Sequence, residues 1–182
     1  MSATRLLILG ALRFLQPTYG YEVRRELESW HAEEWANIAY GSIYFALNKM
    51  AEEGLVAVQQ TDHVGKRPTR TTYVMTERGE EAFQKLVREY WWEFKPAISP
   101  FRIAVAFMDQ LSSEELLAAL RHRVAIIKTS IAGMQEAAEV VPLDPDKPRH
   151  VAEIFSLLVS GFEAELRWLE QAIEKVERGD LP

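Results

Sequence analysis

The sequence contains no cysteine, which rules out a disulfide framework and any zinc site built on thiolates, and suits a reducing compartment. Its nine glycines are scattered singly along the chain, so no glycine-rich loop is available to cradle a phosphate. There is no serine nucleophile elbow, and the carboxylates fall at spacings ordinary for solvated helix faces. No active site, and so no enzyme, is read from this sequence. Histidine is scarce too: His31, His63, His122 and His150. His31 and Glu34 share helical i, i+3 spacing, but no second pair completes a ligand set, so neither a metal nor a cofactor is expected. Long hydrophobic runs are also missing. The apolar stretch Leu6–Leu12 is bracketed by Arg5 and Arg13, is too short to span a bilayer and precedes no small-residue cleavage site. It reads as a buried helix of a cytoplasmic protein.

What is present is ordinary globular material. Of 182 residues, 48% are hydrophobic and 26% charged, enough for one ordinary domain or two small ones. The net charge of −6 is unevenly spread. Residues 1–95 hold 12 Lys+Arg against 13 Asp+Glu, and residues 96–182 hold 9 against 14. From His63 to Thr76 there are Lys66, Arg67 and Arg70 and no acid. A small basic protrusion on an acidic body is compatible with a polyanionic partner, because charges separated by more than about 8 Å are screened.

Hydrophobic spacing gives the elements. Residues 3–15 form a first helix, ended before Pro17. Thr18 is placed to cap a second helix carrying Tyr21, Val23, Leu27 and Trp30. Tyr40–Glu53 reads as a third, with Ile43, Leu47 and Met50 inward and Gly54 as its left-handed cap. Residues 55–60 and 71–75 are β-branched and aromatic, and a Gly- and Pro-containing turn separates them: a hairpin. Thr76 caps a fourth helix to about Lys95. Pro96 and Pro100 bracket a connector taken as the domain boundary. Ser112 and Glu115 make a capping box for a long helix, and after the proline-rich segment 142–148 comes another, with Val151, Phe155, Leu158, Phe162, Leu166, Leu169, Ile173 and Val176 in steps of three and four. The fold expected is mainly α: a winged helix-turn-helix with a small β-hairpin wing over residues 1–95, then a helical, coiled-coil-like dimerisation domain over 96–182.

Four segments carry a resemblance: Gly20-Tyr21-Glu22-Val23, Gly41-Ser42-Ile43-Tyr44, Met50-Ala51-Glu52-Glu53-Gly54-Leu55-Val56, and Tyr73-Val74-Met75-Thr76-Glu77-Arg78-Gly79. In this order and spacing they resemble the PadR-like family of bacterial transcription regulators, over about Leu6–Phe83. The C-terminal half is similar by layout to the longer subgroup of that family. Many relatives have proline where this chain has Phe45. The resemblance implies DNA contact by Tyr21, Ser42 and Tyr44, a homodimer made by the C-terminal helices, and repression from a pseudo-palindromic operator.

Geometry adds to that set. A helix fits the major groove, which is about 12 Å wide, and reads it with the first half of its outer face. Tyr40, Ser42, Tyr44, Phe45 and Asn48 project there; Asn48 is suited to an adenine edge and Lys49 to a phosphate. Lys66, Arg67 and Arg70 on the wing suit the backbone or a narrow minor groove. Some PadR-like regulators bind flat aromatic compounds between tryptophans, and by that resemblance Trp91 or Trp92 lines an effector pocket; packing of the domain junction is the alternative. Phe155, Leu158, Phe162, Leu166, Leu169 and Ile173 are the expected dimer contacts. The rival reading of the whole is a protein-interaction adaptor, since winged helices also dock on proteins. The operator, the effector, the regulated genes and the sign of regulation are not written in the sequence.

Overall fold

The computed structural model describes residues 3–36, 38–62, 70–94, 96, 99–144 and 148–182, with the backbone alone at 34, 60–62 and 70. The chain divides into two compact units, residues 1–96 and 97–182.

In the first unit the apolar N-terminal stretch forms α1, Ala3–Leu15, with Ile8, Leu9, Ala11 and Leu12 fully buried. Beyond its end the Gln16 side-chain oxygen accepts from the Met75 N–H at 2.8 Å, which ties the helix to the hairpin. Thr18 does not cap a helix, as its sequence position suggests. Thr18–Tyr19 is a two-residue strand, β1, and the Thr18 hydroxyl donates to Glu22 at 2.6 Å instead of accepting a helix N–H. Glu22 also accepts from the Tyr19 N–H at 3.2 Å, so α2, Gly20–Ser29, is started by its own acidic residue. This returns an acceptor to one of the orphan N–H groups of a helix start.

The short α3, Ala32–Ala36, follows. The expected 40–53 helix opens as a 3-10 turn, Tyr40–Ser42, before α4 proper, Ile43–Glu52. Gly54 ends it at φ +72°, with the Leu55 N–H returning to the Met50 carbonyl at 2.9 Å, as a left-handed cap requires. The hairpin pairs β2, Val56–Asp62, with β3, Arg70–Met75, antiparallel. Strand order is β1-β3-β2. The central strand places Tyr73 opposite both Thr18 and Val58. Thr76 accepts from the Gly79 N–H at 3.0 Å and opens α5, Glu77–Trp92. That helix stops three residues short of Lys95, which lies outside the described residues.

In the second unit, residues 100–105, read from sequence as connector, form α6, Pro100–Val105; proline in the first turn has its φ already set for a helix. The Ser112–Glu115 capping box opens α7, Ser113–Val140, and α8 is Ala152–Glu177. The pair is antiparallel, with Arg121 meeting Glu177 and Lys128 meeting Glu170. Leu116, Leu120 and Ile127 pack on Leu169, Ala172 and Val176. This corrects the seam inferred from spacing. Leu169 is fully buried in the chain's own helical pair, and Phe162, Leu166 and Ile173 pack against the same cluster. Steps of three and four mark a helix–helix contact but not whose helix is met. Phe155 and Leu158 are half-buried.

Gly79 is held where a Cβ would lie 2.1 Å from the Leu55 carbonyl oxygen and 2.7 Å from Met75 Cγ. Gly79→Ala is expected to cost about 3 kcal/mol, as overpacking against backbone does. Gly133→Ala, inside α7 with open space around it, should instead add about 1 kcal/mol. Urea unfolding of the two variants checks both signs.

Candidate nucleic-acid interface

The geometry of the first unit follows from how α4 is held. Ile43, Leu47 and Met50 are fully buried in a core shared with α1, α2 and the hairpin. Their i, i+4, i+7 spacing fixes the rotation of the helix, so the opposite face must point to solvent. On that face stand Tyr44 and Phe45, 42% and 72% exposed, together with the exposed Asn48 and Lys49. Tyr21, on the first turn of α2, is 44% exposed and stacks on Tyr19 with ring centroids 5.6 Å apart. The Tyr44 ring lies against Gly20, 3.1 Å from where a Cβ would stand. The two exposed tyrosines therefore belong to one surface, because the start of α2 is packed against the start of α4.

Two residues expected on this surface have their hydroxyls bonded to the chain's own carbonyls. Tyr40 packs half-buried against the core, and its hydroxyl donates to the Leu27 carbonyl at 3.3 Å. The 3-10 turn is the reason: it breaks the helical phase before Ile43, so spacing counted back through Tyr40 misplaces it. Ser42 donates its proton to the Ala39 carbonyl at 2.7 Å, which leaves its oxygen as an acceptor. Lys66 and Arg67 lie outside the described residues. Arg70 is the first residue of β3, and its side chain is likewise outside them.

The residue that spacing did not single out is Tyr73. It is 5% exposed, and its hydroxyl donates to Asn48 Oδ1 at 3.0 Å, joining the central strand to α4. Burial raises the phenol above its ordinary value, opposed by a hydrogen bond from Thr71, so it remains a protonated donor at neutral pH. A tyrosine in an alternating strand reads as core from sequence alone, and its hydroxyl gives no spacing signal.

Elsewhere in the first unit three arginines are paired within the chain. Arg5 meets Glu53 through two hydrogen bonds of 2.7 and 2.5 Å, Arg24 meets Glu28 at 2.7 Å and Arg13 meets Glu80 at 3.0 Å. Each of these is worth little to stability when exposed. Trp91 and Trp92 stand 85% and 86% exposed on the last turn of α5, so neither is packed into the core. A groove of about 570 Å³ lined by Glu52, Glu53, Leu55, Arg78, Glu81, Ala82 and Lys85 shares no residue with the Tyr21–Tyr44–Asn48 surface or with the tryptophans. Among the described residues no three metal-ligating side chains converge, and no helix is long and apolar enough to cross a membrane.

Comparison with known proteins places this geometry. Residues 8–85 match the model of the transcriptional regulator PadR-like family. Bacillus subtilis PadR in complex with operator DNA aligns with a TM-score of 0.72 at 18% identity, covering 94% of this chain and 98% of that one. The Vibrio cholerae virulence activator AphA gives 0.72 at 19%, covering 97% and 99%. Bacillus subtilis PadR in complex with p-coumaric acid gives 0.69 at 14%, covering 94% and 99%. At such identities the likeness establishes a shared fold. No curated protein matches the chain at a significant level.

Glu22, which starts the helix carrying Tyr21, is held below its ordinary 4.5, first by the Thr18 hydrogen bond and also by the Tyr19 N–H. A carboxylate whose native pKa is lowered stabilises the fold above its unfolded-state pKa, and that contribution is lost as pH falls through the native value. Glu22→Gln should therefore be less stable than wild type at about pH 7, with the difference closing below about pH 4. Urea midpoints measured across that range test it; a gap of constant size would mean the charge is not used.

Proposed function

We propose, from the match of residues 8–85 to the PadR-like family of transcriptional regulators, that this chain is a repressor that binds a pseudo-palindromic operator in duplex DNA as a homodimer. The observation that carries the reading is the outward face of α4, with Tyr44, Phe45, Asn48 and Lys49 set beside Tyr21 and the other side of the helix wholly committed to the core. A face of this width, with hydrogen-bonding and apolar groups and a cation, suits the edges and phosphates of a major groove. In this reading Tyr21 and Tyr44 donate to phosphates, the Ser42 oxygen takes a bridging water, Asn48 reaches a base and Lys49 lies further along the backbone. Lys66, Arg67 and Arg70 on the wing grip the neighbouring phosphates. Residues 1–95 form the DNA-binding domain, and residues 96–182 form the dimerisation domain.

Two such domains related by a two-fold axis meet half-sites spaced by about one helical turn, roughly 10 bp. The partner is met through what the α7–α8 pair leaves uncovered: the half-buried Phe155 and Leu158 and the exposed Leu157 beside them on α8. Such a regulator works beside the chromosome, in the bacterial cytoplasm.

Retardation of a duplex carrying the promoter of the protein's own gene tests the reading, since a winged helix that docks only on proteins would leave it unshifted. Arg67→Ala should weaken binding on all duplexes alike and lower the slope of log affinity against log salt by about one. Equal slopes for variant and wild type would remove Arg67 from the contacts.

An effector is proposed on the same footing. Trp91 and Trp92 present their ring area to solvent, and a regulator of the same fold has been crystallised with p-coumaric acid. A planar phenolic acid stacking on these rings would favour one arrangement of the dimer over another and shift operator affinity with it. Tryptophan fluorescence should be quenched saturably by a phenolic acid, with the response lost in Trp91→Phe/Trp92→Phe. A flat response across a chemically broad aromatic panel would count against an effector at this place.

A further inference from the structure

The amide of Asn48 does not sit on the outer face of α4 as a free group. Its oxygen accepts from the Tyr73 hydroxyl at 3.0 Å, and Tyr73 is fixed from three sides. It lies on the central strand, is paired across to Thr18 and Val58, and has only 5% of its surface exposed. Its buried hydroxyl finds its acceptor in the Asn48 amide.

A carboxamide is planar, with oxygen and nitrogen on opposite sides of its carbon. Turning the oxygen inward onto a buried hydroxyl turns both N–H groups outward. The bidentate contact of asparagine with adenine needs the oxygen to accept from N6–H while the nitrogen donates to N7. That pairing is what the residue type suggests, and it is closed to an amide held this way. Guanine, with N7 and O6, and thymine, with O4, instead offer acceptors to an outward NH₂ group. Adenine keeps only N7 for such a group, because its N6–H₂ meets the amide donor with a donor, and cytosine, with N4–H₂ alone, offers no acceptor. Phe45 stands three residues earlier on the same exposed face, where an apolar ring suits the thymine methyl group.

We infer that Tyr73 is a positioning residue for base readout: by occupying the Asn48 oxygen it restricts Asn48 to donating, so that adenine loses its bidentate partner and this position prefers guanine or thymine over adenine. The inference rests on the regulator reading, in which α4 enters the major groove. Tyr73 touches no DNA in it, and acts through Asn48 alone.

Selection from a pool of random duplexes, run on the full-length protein and on variants and read by sequencing, tests this. Wild type should enrich a motif with a position occupied by guanine or thymine whose preference disappears in Asn48→Ala. In Tyr73→Phe the ring keeps its packing and only the hydroxyl is lost, so the amide can turn over; the discrimination against adenine at that position should fall about tenfold, while the rest of the motif stays. A merely structural role for Tyr73 would lower enrichment everywhere and leave the preference intact, which would overturn the inference. So would adenine at the Asn48-dependent position in wild type, or an Asn48→Ala motif identical to wild type. Those results leave the regulator reading standing. Failure of wild type to enrich any motif would sink that reading and the inference with it. Should Tyr73→Phe bind nothing, Asn48→Asp decides: it still accepts from Tyr73 but has no N–H to give, so retention of the guanine or thymine preference would overturn the proposal and its loss would support it.

Discussion

The structure of the first unit turns on the burial of three side chains, Ile43, Leu47 and Met50, on one side of a ten-residue helix. A helix has only one rotation about its axis that places all three in the core. Each, when fully buried, contributes roughly 1.5–3 kcal/mol relative to exposure, so turning α4 by even one residue forfeits more than a surface contact returns. The polar and aromatic face is therefore presented by default, with no need for attraction to a ligand to hold it out. That is the useful form of preorganisation: the outward side chains are aimed by the core and not by a ligand. The close approach of α2 at Gly20, under the Tyr44 ring, extends the same control to Tyr21.

The hairpin is usually thought of as a second, separate reader of DNA in a winged helix, but here its central strand also reaches back to the helix. Tyr73 to Asn48 is one hydrogen bond, Met75 to Gln16 another, and Thr76 closes the far end by donating to Gly54 and Leu55. The cap of α4, the start of α5 and the base of the wing thus share one knot of backbone and hydroxyl groups, with Gly79 packed into it too tightly for a side chain. A movement of the wing relative to α4 would have to break these bonds together. The described part of the hairpin is accordingly a fixed strut.

The legible parts of the sequence were those in which a periodic apolar stripe met a local stop. α1, α4, the hairpin, α5 and the two long helices follow from such pairs: Thr76 ahead of α5, Ser112 and Glu115 ahead of α7, Gly54 behind α4. Short elements were not legible. β1 is two residues long and looks like the approach to a cap; α6 hides between prolines; the 3-10 turn at Tyr40 shifts the helical phase without changing the apolar count. Tyr40 and Thr18 were misplaced for that reason. Leu169 was misplaced for a different one: a heptad-like seam is the same whether the facing helix belongs to the same chain or to another, so the spacing identified a contact and left its owner open. Most of the candidate DNA surface followed from α4 once its inner face was known, whereas the direction of the Asn48 amide depends on a residue 25 positions away, across a strand pairing that a linear pattern does not encode.

An acidic chain that meets a polyanion needs an electrostatic account, and the pairing of charges supplies it. Arg5, Arg13 and Arg24 each have a carboxylate partner within 3.0 Å, so those six groups act as short dipoles whose field decays quickly. Beyond a Debye length of about 8 Å in physiological salt such pairs are nearly invisible to a phosphate. The face of α4 opposite the core carries the exposed Lys49, and the sequence from His63 to Thr76 holds three basic residues and no acid.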